Sequence, residues 1–175
     1  MALLLPVKGV HPVMGHECFI APNATIVGDV VMGDQCTVWF NAVVRGDVNS
    51  IRIGNKTNIQ DGAVIHCTYQ KSATLIGSNV SIGHNALVHG CTVEDNVLIG
   101  MGAIVMDNAV VQEHCIIAAG AVVLENTLCE RGHIYAGVPA KKVKALTPEQ
   151  IAQMARTADN YVLYASWFQE GEQAE

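Results

Sequence analysis

A six-residue repeat of aliphatic side chains runs through most of the chain and restricts the folds it can adopt. A helix places apolar residues every three or four positions and a simple strand every second one, so neither explains this spacing. Four positions after nearly every aliphatic residue comes a small or β-branched one, with Tyr69 after Ile65 as an exception, and Gly often follows the aliphatic directly. The aliphatic positions are Met14, Ile20, Ile26, Met32, Val38, Val44, Ile53, Ile59, Ile65, Ile76, Ile82, Val88, Val93, Ile99, Val105, Val111, Ile117 and Val123.

Each six-residue unit is predicted to form a short strand and a turn, and three units to close one triangular coil. Stacked coils would be separated by the strand spacing of about 4.8 Å. We expect about six coils between Met14 and Thr127, within a single domain that covers residues 1–175. Composition agrees with a narrow core, because half of the residues are hydrophobic but only 5% are aromatic.

Charge and cysteine content exclude several classes of function. The net charge is -6 without a basic run, so neither nucleic acid nor a membrane surface is an expected partner. Residues 1–7 are too short and lack the basic start of a secretory signal, so we expect a cytoplasmic protein. The six Cys show no C-x-x-C spacing and are predicted to be buried apolar residues rather than disulfides.

A helix is predicted after the repeat, over residues 147–169. Thr147 can cap it, Pro148 can occupy its first turn and Gln150 can complete a capping box. Its apolar positions recur at three or four, so we expect one face to pack along the outside of the coils.

Three histidines fall into register once the repeat is assigned. His66 and His89 each follow the third aliphatic residue of their coil, which predicts two outward imidazoles one coil apart. His84 lies on the preceding face and could join them only from a neighbouring chain. A closed threefold arrangement would form this contact three times, which predicts a homotrimer. Three imidazoles with one open position are typical of catalytic zinc. The alternative is that two of them cap a loop and the third is unrelated.

Polar residues flank this column. Arg45 holds the same position one coil before His66, and Gln60 and Asp61 lie on the neighbouring face, with His84 above Asp61. Arg45 could pair with Asp61 across a subunit interface. It could instead form a local salt bridge with Asp47 in its own turn, and the sequence leaves both open.

The strings VVRGD (43–47), NIQDGAVIH (58–66) and IGHNALVHGC (82–91) resemble the signature of gamma-class carbonic anhydrases. The resemblance covers nearly the whole chain, including the outer helix. It implies a left-handed parallel β-helix, a homotrimer, and zinc, iron or cobalt at each interface, acting on CO2 and bicarbonate. It identifies the metal ligands as His66, His84 and His89.

The resemblance also implies roles for the residues around the metal. Arg45, Asp47 and Asp61 would form an interface salt-bridge network, and Gln60 would orient water or substrate. Asn58 matches a polar site residue, and Tyr161 matches a tyrosine that the outer helix presents near the site. Fast members of the class carry a Glu where this chain has Val48 and an acidic loop where it has CTYQKSATL, so slow proton export is expected.

Two other functions fit parts of the pattern. A CoA-dependent acyltransferase, or a thioesterase-type acyl enzyme, would use the same coils, although an acyltransferase needs only one interfacial histidine as its base. A non-catalytic trimeric scaffold would use the metal only to join its subunits, and metal binding would then raise thermal stability without turnover.

Overall fold

The chain folds as a parallel β-solenoid with one helix packed on its outside, as the six-residue period predicts. The computed structural model describes residues 2–171, so residues 1 and 172–175 of the predicted single domain lie outside it. The strands are β1 Leu3–Leu5, β2 Val13–Met14, β3 Phe19–Ile20, β4 Thr25–Met32, β5 Thr37–Val38, β6 Val43–Ile53, β7 Asn58–Ile59, β8 Val64–His66, β9 Thr74–Ile76, β10 Ser81–Ile82, β11 Leu87–His89, β12 Thr92–Val93, β13 Leu98–Ile99, β14 Ile104–Val105, β15 Val110–Val111, β16 Ile116–Ile117, β17 Val122–Val123, β18 Leu128–Cys129, β19 His133–Ala136 and β20 Lys141–Ala145.

The strands stack in three columns that form the faces of a prism. One face is an eight-stranded sheet in the order β20-β19-β16-β13-β10-β7-β5-β3. The other two belong to one twelve-stranded sheet, because β4 and β6 each continue around the edge between them. Among the strands named above, the pairs between coils are parallel and β19 pairs antiparallel with β20. Two strands, β18 and β19, extend the stack beyond the predicted end at Thr127.

The core is a column of stacked aliphatic side chains. Ile26, Val44, Ile65, Val88 and Val105 lie above one another in register, and each is fully buried. Between them lie the small residues of the repeat, which leave room for the large ones. Five of the six Cys are buried and Cys18 is half-buried, as expected for small apolar residues.

The turns require left-handed backbone, and among non-Gly residues Asn supplies it most often. Asn41, Asn79, Asn85, Asn96, Asn108 and Asn126 all have positive φ angles, which Asn tolerates better than most residues. At Gly54 the constraint is the space between stacked coils. A Cβ there would lie 2.6 Å from the Ser78 hydroxyl and from the Gly77 carbonyl carbon. The Gly after the aliphatic residue is therefore needed for coils to stack closely.

The outer helix α1 spans Pro148–Gly171, close to its predicted range. The capping box is confirmed, since Gln150 N donates to Thr147 Oγ1 at 3.3 Å and Thr147 N donates to Gln150 Oε1 at 3.0 Å. The helix contacts β5 and β10 of the eight-stranded face. Lys56 Nζ lies 3.1 Å from Asp159 Oδ1 and ties the helix to a turn of the prism.

Among the described residues, no helix combines the length and hydropathy that crossing a bilayer requires.

Candidate metal centre

The edge between the two faces of the larger sheet carries the polar column predicted from the repeat. His66 ends β8 and His89 ends β11, and the two residues are register partners. Arg45 lies one coil below, and its Nη2 is 3.5 Å from His66 Nδ1. The close approach of β4 and β6 at this edge depends on Gly28, because a Cβ there would collide with the Gly46 backbone.

Each of the two imidazoles makes a hydrogen bond to a carboxylate. His66 Nε2 lies 3.0 Å from Asp47 Oδ1, and His89 Nδ1 lies 2.6 Å from Asp107 Oδ1. Burial pushes the pKa of the Asp47 carboxyl upward, but the hydrogen bonds from Arg45 and His66 outweigh it and lower that pKa. An ionised carboxylate only accepts hydrogen bonds, so the protons lie on His66 Nε2 and His89 Nδ1.

When both rings are neutral, the two remaining ring nitrogens point their lone pairs at each other. His66 Nδ1 and His89 Nε2 are 3.1 Å apart. Two acceptor lone pairs at this distance repel each other unless a proton or a metal ion lies between them. A tetrahedral metal ion with bonds of about 2.0–2.1 Å would separate its nitrogen ligands by about 3.3 Å. The spacing and the donor chemistry of this pair both fit such an ion.

The His66 side chain is prepared to act as a neutral ligand. Burial is the largest cause that lowers the pKa of His66, and the positive charge of Arg45 lowers it further, against the opposing effect of Asp47. A metal binds the neutral imidazole. The lowered pKa of His66 therefore favours the metal-binding form near neutral pH.

His84 lies elsewhere in the same chain. It occupies the turn between β10 and β11, at the other edge of the face that ends in His66 and His89. Its Nδ1 is 2.9 Å from Asp61 Oδ2, and both side chains are 41% exposed. Within residues 2–171, no three His, Cys, Asp or Glu side chains of one chain converge on a common point. A three-histidine site would therefore need His84 from another copy.

Arg45 forms the local salt bridge that the sequence had left open. Its Nη1 lies 2.5 Å from Asp47 Oδ2, so Asp47 contacts both Arg45 and His66. Asp61 contacts His84 in this single chain. A pairing of Arg45 with Asp61 across an interface stays a prediction.

A buried amide chain lies beside His84 on the eight-stranded face. Gln60 Nε2 donates to Asn58 Oδ1 at 3.0 Å, and Asn58 Nδ2 donates to Ser81 Oγ at 2.8 Å. All three side chains are buried. Because the Gln60 nitrogen is used by Asn58, the carbonyl oxygen faces away from Asn58 and can accept a hydrogen bond from a ligand.

Helix α1 places Tyr161 near Asp61, the residue that directly follows Gln60. The Tyr161 ring packs edge-on against Trp39, with 5.4 Å between ring centroids. Burial, with smaller contributions from Asp61 and Tyr164, raises the pKa of Tyr161 to about 12. Tyr161 is therefore a neutral hydrogen-bond donor near neutral pH and not a base.

A cavity of about 360 Å³ adjoins the amide chain at Gln60 and is largely apolar. Gln60 and His84 line it together with apolar residues that include Leu98, Met101 and Ile116. Of the predicted site residues, Gln60 and His84 therefore line this cavity, whereas Arg45, Asp47, His66 and His89 lie together at the edge of the larger sheet.

Comparison with known proteins identifies the family. The family model for the bacterial transferase hexapeptide (six repeats) matches residues 11–46 and 90–125. The probable carbonic anhydrase of Methanocaldococcus jannaschii is 49% identical over 143 residues, which are 82% of this chain and 89% of that protein. The chain belongs to the gamma carbonic anhydrase family.

Members of the family differ in length. Gamma carbonic anhydrase 2, mitochondrial, of Arabidopsis thaliana is 42% identical over 164 residues, which are 91% of this chain but 59% of the plant protein. The chain therefore spans less than two thirds of the length of that relative. Among solved structures, a putative acetyltransferase of Bacillus cereus has a TM-score of 0.92 and 35% identity, with 97% of this chain and 98% of that chain covered.

Three residues of this region were not identified from the sequence. Asp107 accepts from His89, Thr68 contacts Asp107, and Ser81 ends the amide chain. Counting along the repeat does not reach Asp107, since Val88 pairs with Val105 and places position 106 beside His89, whereas Asp107 lies 18 residues after His89. The short repeat between Val88 and Val93 makes this coil one residue shorter than 18.

Proposed function

We propose that the chain is a metal-dependent, carbonic anhydrase-like lyase that hydrates CO2 reversibly at the interfaces of a homotrimer. The observation that carries this proposal is the pair of ring nitrogens His66 Nδ1 and His89 Nε2, which lie 3.1 Å apart on rings that are each hydrogen-bonded to a carboxylate. The names of the curated relatives support the reaction class. We further propose that the protein is cytoplasmic, as expected from its sequence.

The metal would be held by His66 and His89 of one copy and His84 of a neighbouring copy. Three imidazoles suit zinc best, and iron or cobalt can occupy the same ligand set. When bound, such an ion would supply Lewis acidity that makes hydroxide available from water at neutral pH. The three protein ligands would leave one coordination position open.

The chain's other polar groups would orient the reactants. The Gln60 carbonyl oxygen, fixed through Asn58, would accept a hydrogen bond from water or from the hydroxyl of bicarbonate. Asp47 would keep His66 in the tautomer that binds metal, and Arg45 would keep Asp47 ionised. We propose that Asp61 holds His84 in place and that Tyr161 donates a hydrogen bond at the rim of the site.

Proton export is expected to limit turnover. Val48 packs against the core where fast members of the class carry a carboxylate. In the loop after His66, the Tyr69 side chain is 61% exposed, but a phenol transfers protons less readily than a carboxylate near neutral pH. Weak activity that buffer accelerates is therefore expected.

Metal content and CO2 hydration test the proposal together. The protein purified without added metal should contain about one divalent ion per subunit, and a chelator should abolish hydration. His89→Ala should lose both metal and activity, whereas His11→Ala, a change at an exposed histidine outside the column, should keep both. Full hydration activity in His89→Ala would contradict the proposal.

An acyl-transfer or thioesterase function is the second candidate. The apolar cavity beside Gln60 and His84 is larger than CO2 requires and could hold an acyl chain. The putative acetyltransferase of similar fold favours the same alternative. Acyl transfer to or from CoA that survives chelation would support it, and a metal-dependent rise in melting temperature without any turnover would support the scaffold.

A further inference from the structure

We propose that Asp107 is a positioning residue for the metal ligand His89, and that the loop after His66 holds Asp107 in place. This rests on the proposed function, because it concerns how the chain prepares a ligand for metal. It goes beyond that function by giving the loop at residues 67–73 a role that needs no acidic residue within it.

Both carboxylate oxygens of Asp107 are used. Oδ1 accepts from His89 Nδ1 at 2.6 Å, and Oδ2 accepts from Thr68 Oγ1 at 2.6 Å. The Asp107 side chain is only 8% exposed. A carboxylate held at both oxygens cannot rotate freely, so the direction of the His89 ring is fixed by a group that the loop itself positions.

The loop is joined to the strands of both imidazoles through Thr74. Thr74 Oγ1 donates to the His66 carbonyl oxygen at 2.5 Å and accepts from Gly90 N at 2.9 Å. Thr68 N in turn donates to the Ser72 carbonyl oxygen at 3.2 Å, which closes the loop on itself. The loop that interrupts the repeat therefore connects the ends of β8 and β11 as well as Asp107.

Gly90 shows that the space around the carboxylate is fully used. A Cβ at Gly90 would collide with the Asp107 carboxylate and with the Ser72 hydroxyl. The residue also has a φ of +56°, which Gly adopts without strain. The residue directly after His89 therefore has to lack a side chain for Asp107 to reach the imidazole.

The expected consequence is a dependence of metal affinity on residues that do not touch the metal. A carboxylate behind a histidine ligand fixes its tautomer and raises its basicity, and losing such a partner weakens metal binding about 10- to 100-fold.

The test measures Co²⁺ binding to the full chain by chelator competition, together with the Co²⁺ absorption spectrum. Asp107→Asn should weaken binding about 10- to 100-fold and alter the spectrum. Thr68→Val, which removes only the hydroxyl that contacts Asp107, should weaken binding by a smaller factor. Glu125→Gln is the matched control. The Glu125 carboxylate also contacts the loop, 3.8 Å from Lys71 Nζ, but it is not bonded to His89.

The outcomes separate this inference from the proposed function. If His66→Ala abolishes Co²⁺ binding while Asp107→Asn keeps wild-type affinity and spectrum, the role of Asp107 is wrong and the metal site stands. If His66→Ala itself leaves Co²⁺ binding unchanged, the proposed function is wrong. Should Asp107→Asn not fold, Thr68→Val decides, since wild-type affinity in that variant would overturn the role of the loop.

Discussion

At the scale of single residues, neighbouring groups determine which ring nitrogen of a histidine carries its proton and whether a phenol stays protonated. Asp47 and Asp107 each accept from one imidazole nitrogen, and this leaves the opposite nitrogen of each ring free for a metal. On the other side of the chain, burial and the nearby Asp61 carboxylate keep Tyr161 protonated. The chemistry of each group therefore follows from its immediate contacts.

Tyr161 gives the prediction at this scale. Its pKa is raised from 10.0 to about 12, so the fold favours the neutral phenol. The resulting stability is present below pH 10.0 and is lost as the pH rises toward about 12. In a titration followed by phenolate absorbance, Tyr161→Phe should reduce the amplitude of the late ionisation, whereas Tyr69→Phe, at an exposed ring, should leave that amplitude unchanged. Burial also raises the pKa of Tyr135, so a late step of smaller amplitude remains. An unchanged late amplitude in Tyr161→Phe would contradict the assignment.

At the scale of the elements, each turn must let the next coil approach. Gly54 is packed against the backbone and side chain of Gly77 and Ser78 in the following coil. Gly54→Ala should lower the free energy of unfolding by about 3 kcal/mol, because the added methyl group separates two coils. Chemical denaturation measures this loss.

Gly132 provides the matched comparison. Gly132 has a positive φ of +72°, which Gly54 does not have, but nothing lies within 4 Å of the position of an added Cβ. Gly132→Ala should therefore cost only the backbone strain, about 1 kcal/mol. Equal losses in the two variants would show that coil spacing is not what Gly54 protects.

At the scale of the whole molecule, the proposed site exists only between copies. His84→Ala and His89→Ala should each be inactive alone, yet trimers assembled from an equal mixture of the two chains should regain activity. About one quarter of the interfaces would combine an intact His66 and His89 pair with an intact His84. Hydration activity and metal content of the refolded mixture measure this, and a mixture as inactive as its parents would contradict a shared site.

The sequence by itself determined the solenoid and the alignment of its histidines. In stacked coils the contacts link residues about one coil apart, so counting along the chain gives the register of His66 with His89 and of His84 above Asp61. The outer helix and its cap followed from equally local signals at Thr147 and Gln150.

Tertiary structure alone decided the contacts that depend on side-chain direction across irregular segments. Asp107 reaches His89 through a short repeat unit and a loop, and the amide chain from Gln60 to Ser81 runs between two strands. Tyr161 lies near Asp61 because helix α1 packs on the eight-stranded face of the prism. A period fixes where backbones stack, but hydrogen-bond direction depends on rotamers and packing that a count along the chain does not contain.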